Sequence, residues 1–248
     1  MGVETGRDPM SLDSWLNLET ADALLDVGCN VGHLLGFVAK LKPQIRLAGI
    51  EVNPESLKLA RESLPQASLH LCGAEALPFG DAEFDRATCV EVLEHIPAEL
   101  RRPSLAEIHR VLKPGGTLLL QVPHAGTFDW LDPGNVRFRF PKLYSAVVGR
   151  GLREEGMQAR AEGVQWHHHF SMAELEHLSE NLFTVTRVHH GGLLLMPLTD
   201  IARWPFYRRG AYDGRLFKLL MNASRWDLSR DYGRHSYDVR LLLKKVNT

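Results

Sequence analysis

The chain has 248 residues, 44% of them hydrophobic and 24% charged, which is ordinary globular usage and excludes disordered, collagen-like and coiled-coil classes. Its 29 Lys and Arg nearly balance its 30 Asp and Glu, so a bulk charge of -1 offers no general attraction to polyanions and no DNA partner is expected. The balance is local, however: from Arg203 onward eleven basic residues stand against four acidic ones, a +7 that leaves -8 for the first 202 residues. Cys29, Cys72 and Cys89 form no CxxC pair and are odd in number, which fits reduced thiols better than a disulfide frame. Residues 1–20 hold no apolar leader core, and no apolar run nears the roughly 18 residues a membrane span needs, so a cytoplasmic protein is expected.

Short apolar runs alternate with helical patterns through the first half. Strands are predicted at Ala23–Val27, Arg46–Glu51, 68–72, Phe84–Val90 and 117–122. Helices are predicted at His33–Leu41, from Asn53-Pro54 onward with Pro in the first turn, and over 103–112. That alternation implies a Rossmann-like α/β fold, a mostly parallel sheet with helices on both faces, whose ligands bind outside the carboxyl ends of the strands. The second half is less regular. It holds turn signals at Asp132-Pro133-Gly134-Asn135, an apolar stretch over 143–148, and a helix over 171–181 capped by Ser171 and Glu174. Two late strands, Phe183–His189 and 237–243, would complete seven, with an inserted helical segment in the roughly 45 residues between them. We expect one domain over 1–248: a core at 20–124, with 125–170 and 191–235 as acceptor-pocket or lid elaborations.

The turn Asp26-Val27-Gly28-Cys29-Asn30-Val31-Gly32 joins the first strand to the first helix. Glycines there let backbone approach a ligand, and the helix start offers unpaired N–H groups. The spacing is Gly-x-Asn-x-Gly rather than GxGxxG, and His33 stands where a dinucleotide fold wants a small residue for close helix packing. Asp26 is placed to meet a cation such as an amino group. Glu51, at the end of the second strand, can accept both hydroxyls of a ribose.

Together these residues resemble class I S-adenosylmethionine-dependent methyltransferases. Cys72-Gly73-Ala74-Glu75-Ala76-Leu77-Pro78-Phe79 is similar to that family's GDAExLPF segment, and Phe84-Asp85 and Leu112-Lys113-Pro114-Gly115-Gly116 follow in the family's order. The resemblance implies that Asp26, Gly28, Cys29, Asn30 and Gly32 surround the methionine part of S-adenosylmethionine. Glu51 would bind the ribose and Gly73, Ala74 and Glu75 would flank the adenine, with Val52 and Val90 as further cofactor contacts. The family often has Asp where Gly73 stands, so either Glu75 substitutes for it or that contact is missing.

Glu91-Val92-Leu93-Glu94-His95 follows the fourth strand, and in a helical turn Glu91, Glu94 and His95 would share one face. The segment resembles the ExxEH motif of ubiquinone-biosynthesis O-methyltransferases and small-RNA 2′-O-methyltransferases. That resemblance implies a divalent metal, Mg²⁺, Mn²⁺ or Zn²⁺, completed by a later histidine, here His168 within Trp166-His167-His168-His169-Phe170. The plainer alternative has the glutamates capping a helix and His95 packing at the sheet edge. His124, directly after the fifth strand, is the alternative general base. The basic, aromatic tail (Trp204, Phe206, Tyr207, Tyr212, Phe217, Trp226) reads as a lid or dimer helix in preference to a membrane-contacting surface.

These features point to a methyltransferase acting at oxygen on a small-molecule or glycan-like acceptor. A nicotinamide-dependent oxidoreductase, which Asn30 and His33 oppose, and an RNA 2′-O-methyltransferase are the alternatives.

Overall fold

A computed structural model of the chain describes residues 12–132, 135, 168–207 and 214–246. The predicted apolar stretch at 143–148, the Pro133-Gly134 turn, Trp166, His167 and Tyr212 lie outside these residues. Seven strands form one sheet: β1 (Ala23–Val27), β2 (Arg46–Glu51), β3 (Ser68–Leu71), β4 (Phe84–Val90), β5 (Leu112–Pro123), β6 (Phe183–His189) and β7 (Asp238–Lys245), in the order β3-β2-β1-β4-β5-β7-β6. The pairings of β1 with β2, β1 with β4, and β2 with β3 are parallel. Helices α1 (Leu12–Leu16), α2 (His33–Leu41), α3 (Pro54–Ser63), α4 (Ala98–Val111), α5 (Met172–Ser179), α6 (Leu195–Tyr207) and α7 (Arg215–Leu228) accompany it.

The described residues fall into two compact units. The first holds 12–120, 176–188 and 241–246; the second holds 121–132, 135, 168–175, 189–207 and 214–240. In the first, all five residues of β1 are buried, as expected of a central parallel strand covered on both faces. Leu35 and Val38 of α2, and Leu57 and Ala60 of α3, close over Leu24, Leu47 and Leu69 of the sheet. α3 starts where the sequence says it should. Asn53 accepts from the N–H groups of Glu55 and Ser56, and Pro54 takes the first helical position, where its missing N–H costs nothing.

Two elements begin well before their expected positions. α4 begins at Ala98 and carries Pro103 inside it. Tertiary bonds from its first turns support the longer helix: Arg101 Nε donates to the Ile96 carbonyl, and the Arg102 guanidinium donates to the carbonyls of His177, Leu178 and Glu180. β5 begins at Leu112 rather than 117, because Gly115 takes up a φ of +74° and Gly116 packs where a Cβ would lie 2.9 Å from the Lys113 carbonyl oxygen.

The predicted helix after Ser171 is present as α5, with Ser171 Oγ accepting from the Glu174 N–H. The inserted helical segment, in the second unit, is the pair α6 and α7. Among the described residues no helix is long and apolar enough to cross a membrane.

Candidate active site

The predicted cofactor residues stand at the carboxyl ends of β1, β2, β3 and β4, where the backbone itself ties the ends together. The N–H groups of Gly28 and Cys29 both donate to the Ile50 carbonyl at 2.9 and 2.8 Å, and the Cys72 N–H donates to the Glu51 carbonyl at 3.2 Å. Gly28 (φ +78°), Asn30 (φ +48°) and Gly32 (φ +82°) are all left-handed. A Cβ on Gly28 would come within 2.4 Å of Val92 Cγ2, and one on Gly32 within 2.7 Å of Leu64 Cδ1. The glycines are therefore fixed by conformation and by space, and Gly32 sits directly at the start of α2.

Glu51 is the hinge of this arrangement. Its Oε2 accepts from the Asn30 N–H at 2.9 Å, and its Oε1 accepts from the N–H groups of Val52 and Asn53 at 2.8 Å each. A carboxylate so held is oriented before any ligand arrives, with lone pairs left for hydroxyl donors. The neighbouring Val52 side chain is exposed and Val90 is half-buried.

Asp26 is buried on β1 opposite Thr88 of β4, whose hydroxyl donates to Asp26 Oδ1 at 2.6 Å. Desolvation pushes its carboxyl up to about 7; the Thr88 bond opposes that rise and the Glu51 charge adds to it. A buried carboxylate poised in this way could receive a cation, which would hold it in the ionised form.

At the end of β3, Gly73 and Ala74 are buried, and the Glu75 carboxylate folds back over Gly73: a Cβ there would lie 2.3 Å from Glu75 Oε2. Glu75 thus occupies the space that a side chain at position 73 would fill. The sequence reading missed what braces this loop. Arg110 donates to the carbonyls of Leu77 and Phe79 and to Asp81, while Glu107 accepts from the Leu77 N–H. The two residues sit about thirty positions away on α4, and no local pattern links them to the loop.

The ExxEH segment does not form the expected single face. Glu91 is itself left-handed (φ +54°), and a 3₁₀ turn begins only at Leu93, so Glu91 stands outside the turn that carries Glu94 and His95. Glu94 is buried, with His95 Nε2 3.7 Å from its Oε1 and exposed. Among the described residues no group of three or more His, Cys, Asp or Glu is arranged to hold a metal ion. His168 belongs to the second unit, where its Nε2 lies 2.8 and 3.0 Å from the two oxygens of Glu174. The residues named for the metal thus lack the arrangement expected of them: Glu91 lies outside the turn that carries Glu94 and His95, and His168 Nε2 faces the Glu174 carboxylate.

His124 is the centre of a built cluster in the second unit. Its backbone N–H donates to the Tyr237 carbonyl at 2.8 Å, and its own carbonyl accepts from Gly126 N–H and from His169 Nδ1, whose Nε2 faces Asp132 at 2.8 Å. Its Nδ1 is 3.2 Å from the Ser236 carbonyl and 2.8 Å from Ser236 Oγ, and the His190 ring lies 5.1 Å away. Facing a carbonyl, Nδ1 carries the hydrogen, which assigns the lone pair to Nε2. Burial lowers the imidazole's proton affinity below the ordinary 6.5; the bond to the Ser236 carbonyl opposes that shift and the neighbouring His190 and His169 add to it, so the ring stays neutral near pH 7. Ser236 and His169 were not legible as site residues: their partners lie 112 and 45 positions away.

Residues 25–120 match the family described as a methyltransferase domain. The chain is 38% identical over 102 residues to the ubiquinone biosynthesis O-methyltransferase of Xanthomonas campestris, covering 39% of this chain and 41% of that one. It is 33% identical over 125 residues to a ubiquinone/menaquinone biosynthesis C-methyltransferase of Bordetella avium, covering 46% and 48%. Across the curated relatives it matches, the chain spans about a third to a half of their length. In three dimensions it is similar to a SAM-dependent methyltransferase of Methanosarcina mazei, with a TM-score of 0.55 at 20% identity over 92% of this chain and 93% of that one. The fold is that of the class I methyltransferases.

Proposed function

We propose that this chain, a class I S-adenosylmethionine-dependent methyltransferase by its matched domain and its sheet, moves a methyl group onto a hydroxyl oxygen of a small-molecule or glycan-like acceptor. The observation that carries the donor assignment is the pair of carboxylates around the glycine turn: Asp26, buried beside Thr88, and Glu51, pre-oriented by three backbone N–H groups. Asp26 pairs with the ammonium of the donor's methionine part, and Glu51 accepts from its ribose hydroxyls. The left-handed Gly28 lets the backbone turn sharply at the end of β1, with Val92 packed where a Cβ would lie. Glu75, folded over Gly73, supplies the carboxylate beside the adenine that position 73 cannot.

The sulfonium methyl group is already activated, so the protein's task is to align a nucleophile and take its proton. His124 Nε2 takes the proton of the acceptor hydroxyl as its oxygen bonds to the methyl carbon; the carbon–sulfur bond breaks and S-adenosylhomocysteine leaves. Oxygen is favoured as the accepting atom because O-methyltransferases recur among the relatives and because a neutral, buried imidazole suits a hydroxyl. No step is routed through a metal, since Glu91 lies outside the turn that carries Glu94 and His95, and His168 Nε2 faces the Glu174 carboxylate. The RNA alternative drew on that same metal constellation and on the tail, and it loses the first.

The test is direct: incubation with methyl-labelled S-adenosylmethionine and a panel of phenols, polyols and amines, with S-adenosylhomocysteine release as the readout. Label transfer to hydroxyl acceptors, lost in His124→Ala while donor binding persists, supports the reading. Transfer to amines or carbon alone overturns the oxygen assignment, and absence of donor binding overturns all of it.

A further inference from the structure

Helices α6 and α7 lie within the second unit and take no part in the chemistry above. They form a hairpin clamped at its base by Asp227, whose Oδ2 accepts from the N–H groups of Leu193 and Met196 at 2.9 Å each and whose Oδ1 accepts from the Tyr232 hydroxyl at 2.8 Å. Between the helices, the Arg203 guanidinium meets the Met221 sulfur, and the rings of Phe206 and Phe217 lie 6.0 Å apart. These contacts consume one side of each helix.

The other sides are unusual for a surface in water. On α6 the described outward positions are Leu195, Leu198, Ile201 and Ala202, all exposed, with no charged residue among them. On α7 the outward side divides lengthwise. Leu216 (56% exposed), Leu219 (64%) and Trp226 (52%) form one edge. Arg215, Lys218 and Arg225, all exposed, form the other. Arg230 adds a fourth cation, its guanidinium 5.0 Å from the centre of the Trp226 ring. The acid of this helix, Asp227, is buried, so the outward side of α7 carries no anion.

We propose that the α6–α7 hairpin is a docking surface for an anionic phospholipid bilayer. An apolar row beside a purely cationic row, with a tryptophan under a guanidinium, is the pattern of a helix lying in the interface: apolar groups enter the headgroup–acyl boundary while long basic side chains reach the phosphates. At 13 and 14 residues the helices are too short to span a bilayer, which needs about 20 residues, so they lie along it. Charge distinguishes this occupant from a second copy of the chain. Two copies meeting antiparallel through α7 would set the cationic row of one against that of the other, Lys218 near Arg225, with no acid on that side of the helix to neutralise them, whereas an anionic bilayer supplies the missing charge.

The test uses the full chain and sedimentation with vesicles of phosphatidylcholine alone or mixed with phosphatidylglycerol. We expect binding to the mixed vesicles, little to the neutral ones, and weakening as salt rises. Lys218→Glu combined with Arg225→Glu should lower the partition coefficient on the order of tenfold or more. Leu219→Glu should abolish binding while the melting temperature and S-adenosylmethionine affinity stay as in the native chain. A blue shift of tryptophan emission on vesicle addition should be largely lost in Trp226→Phe. Failure to bind anionic vesicles overturns the proposal, as does binding that none of these substitutions alters. Concentration-dependent self-association that Leu219→Glu abolishes would also overturn it, by assigning the face to a second copy. None of these outcomes bears on methyl transfer, which is read separately.

Discussion

Replacing Asp26 by Asn should stabilise the protein above neutral pH while disabling it. The carboxyl's ordinary value is 3.8 and burial raises it to about 7 in the fold. Between these two values the folded chain holds a proton that the unfolded chain has lost, so stability falls as pH rises through the window and levels off above pH 7. Roughly three pH units at 1.36 kcal/mol each put the cost of keeping Asp26 ionised near about 4 kcal/mol, an upper bound because the site relaxes around a charge. Asn has the same shape and never ionises, and its amide oxygen can still accept from Thr88, now 2.6 Å from Asp26 Oδ1. Denaturant unfolding of both proteins at several values from pH 5 to pH 8.5 should show a stability difference that already favours the Asp26→Asn variant by about 1–2 kcal/mol at pH 5, grows toward neutrality and levels off above pH 7. The same variant should lose most of its affinity for S-adenosylmethionine, because the ammonium partner is gone. Native binding near pH 6 should expel a proton, detectable by calorimetry in buffers of different ionisation enthalpy. A stability difference that stays flat across this range would refute the argument, since it would mean that Asp26 is ionised throughout.

Glu51→Ala should weaken S-adenosylmethionine by roughly 2–3 kcal/mol, the scale of charge-assisted hydrogen bonds, and should also loosen the Asn30 turn that Glu51 now holds; unchanged affinity in calorimetry would remove Glu51 from the ribose. Gly28→Ala should destabilise by about 1–3 kcal/mol and prevent donor binding, since it imposes a left-handed residue and a Cβ 2.4 Å from Val92 Cγ2; a variant that melts and binds like the native chain would show that the turn has another shape. His124→Ala should lower turnover by on the order of 10²–10⁴, and in the native enzyme the acidic limb of the pH–rate profile should fall below 6.5, because the imidazole's proton affinity is lowered and its neutral form persists into acid. Exhaustive chelation should leave turnover intact; its loss would restore the metal reading for Glu91, Glu94 and His95.

The residues proposed to hold the donor are readable because their determinants are local. A buried strand, a turn that requires left-handed residues, a helix start and an acid at the next strand end all leave their mark within about thirty residues, and each of those elements stands where the sequence puts it. Glu51 is legible as a strand-end acid. Its bonds from Val52 and Asn53 are local, but the one from Asn30 is not legible, since it depends on how the turn at Asn30 folds back over β2. The ExxEH segment misleads for the opposite reason. Its spacing fits one face of a helix, but β4 runs to Val90 and the chain then reverses through a left-handed Glu91, so the spacing belongs to a helix that does not start there.

The second unit is opaque because its order is made at long range. The sequence marks His124 only as the residue after a strand, yet what makes it suited to accept a proton is a carbonyl and a hydroxyl from Ser236, a neighbouring His190 ring, and the His169–Asp132 pair bonded to its backbone. None of these has a sequence signature, because a hydrogen bond across 112 positions leaves no periodicity. His190 in particular reads from the sequence as one more surface or packing histidine. The same holds for the tail. Its basic and aromatic composition is visible, but composition cannot say that the one acid of α7 points inward to cap α6 while three cations and two leucines point outward. That division follows from Asp227 bonding Leu193 and Met196, a contact that only the folded hairpin can make.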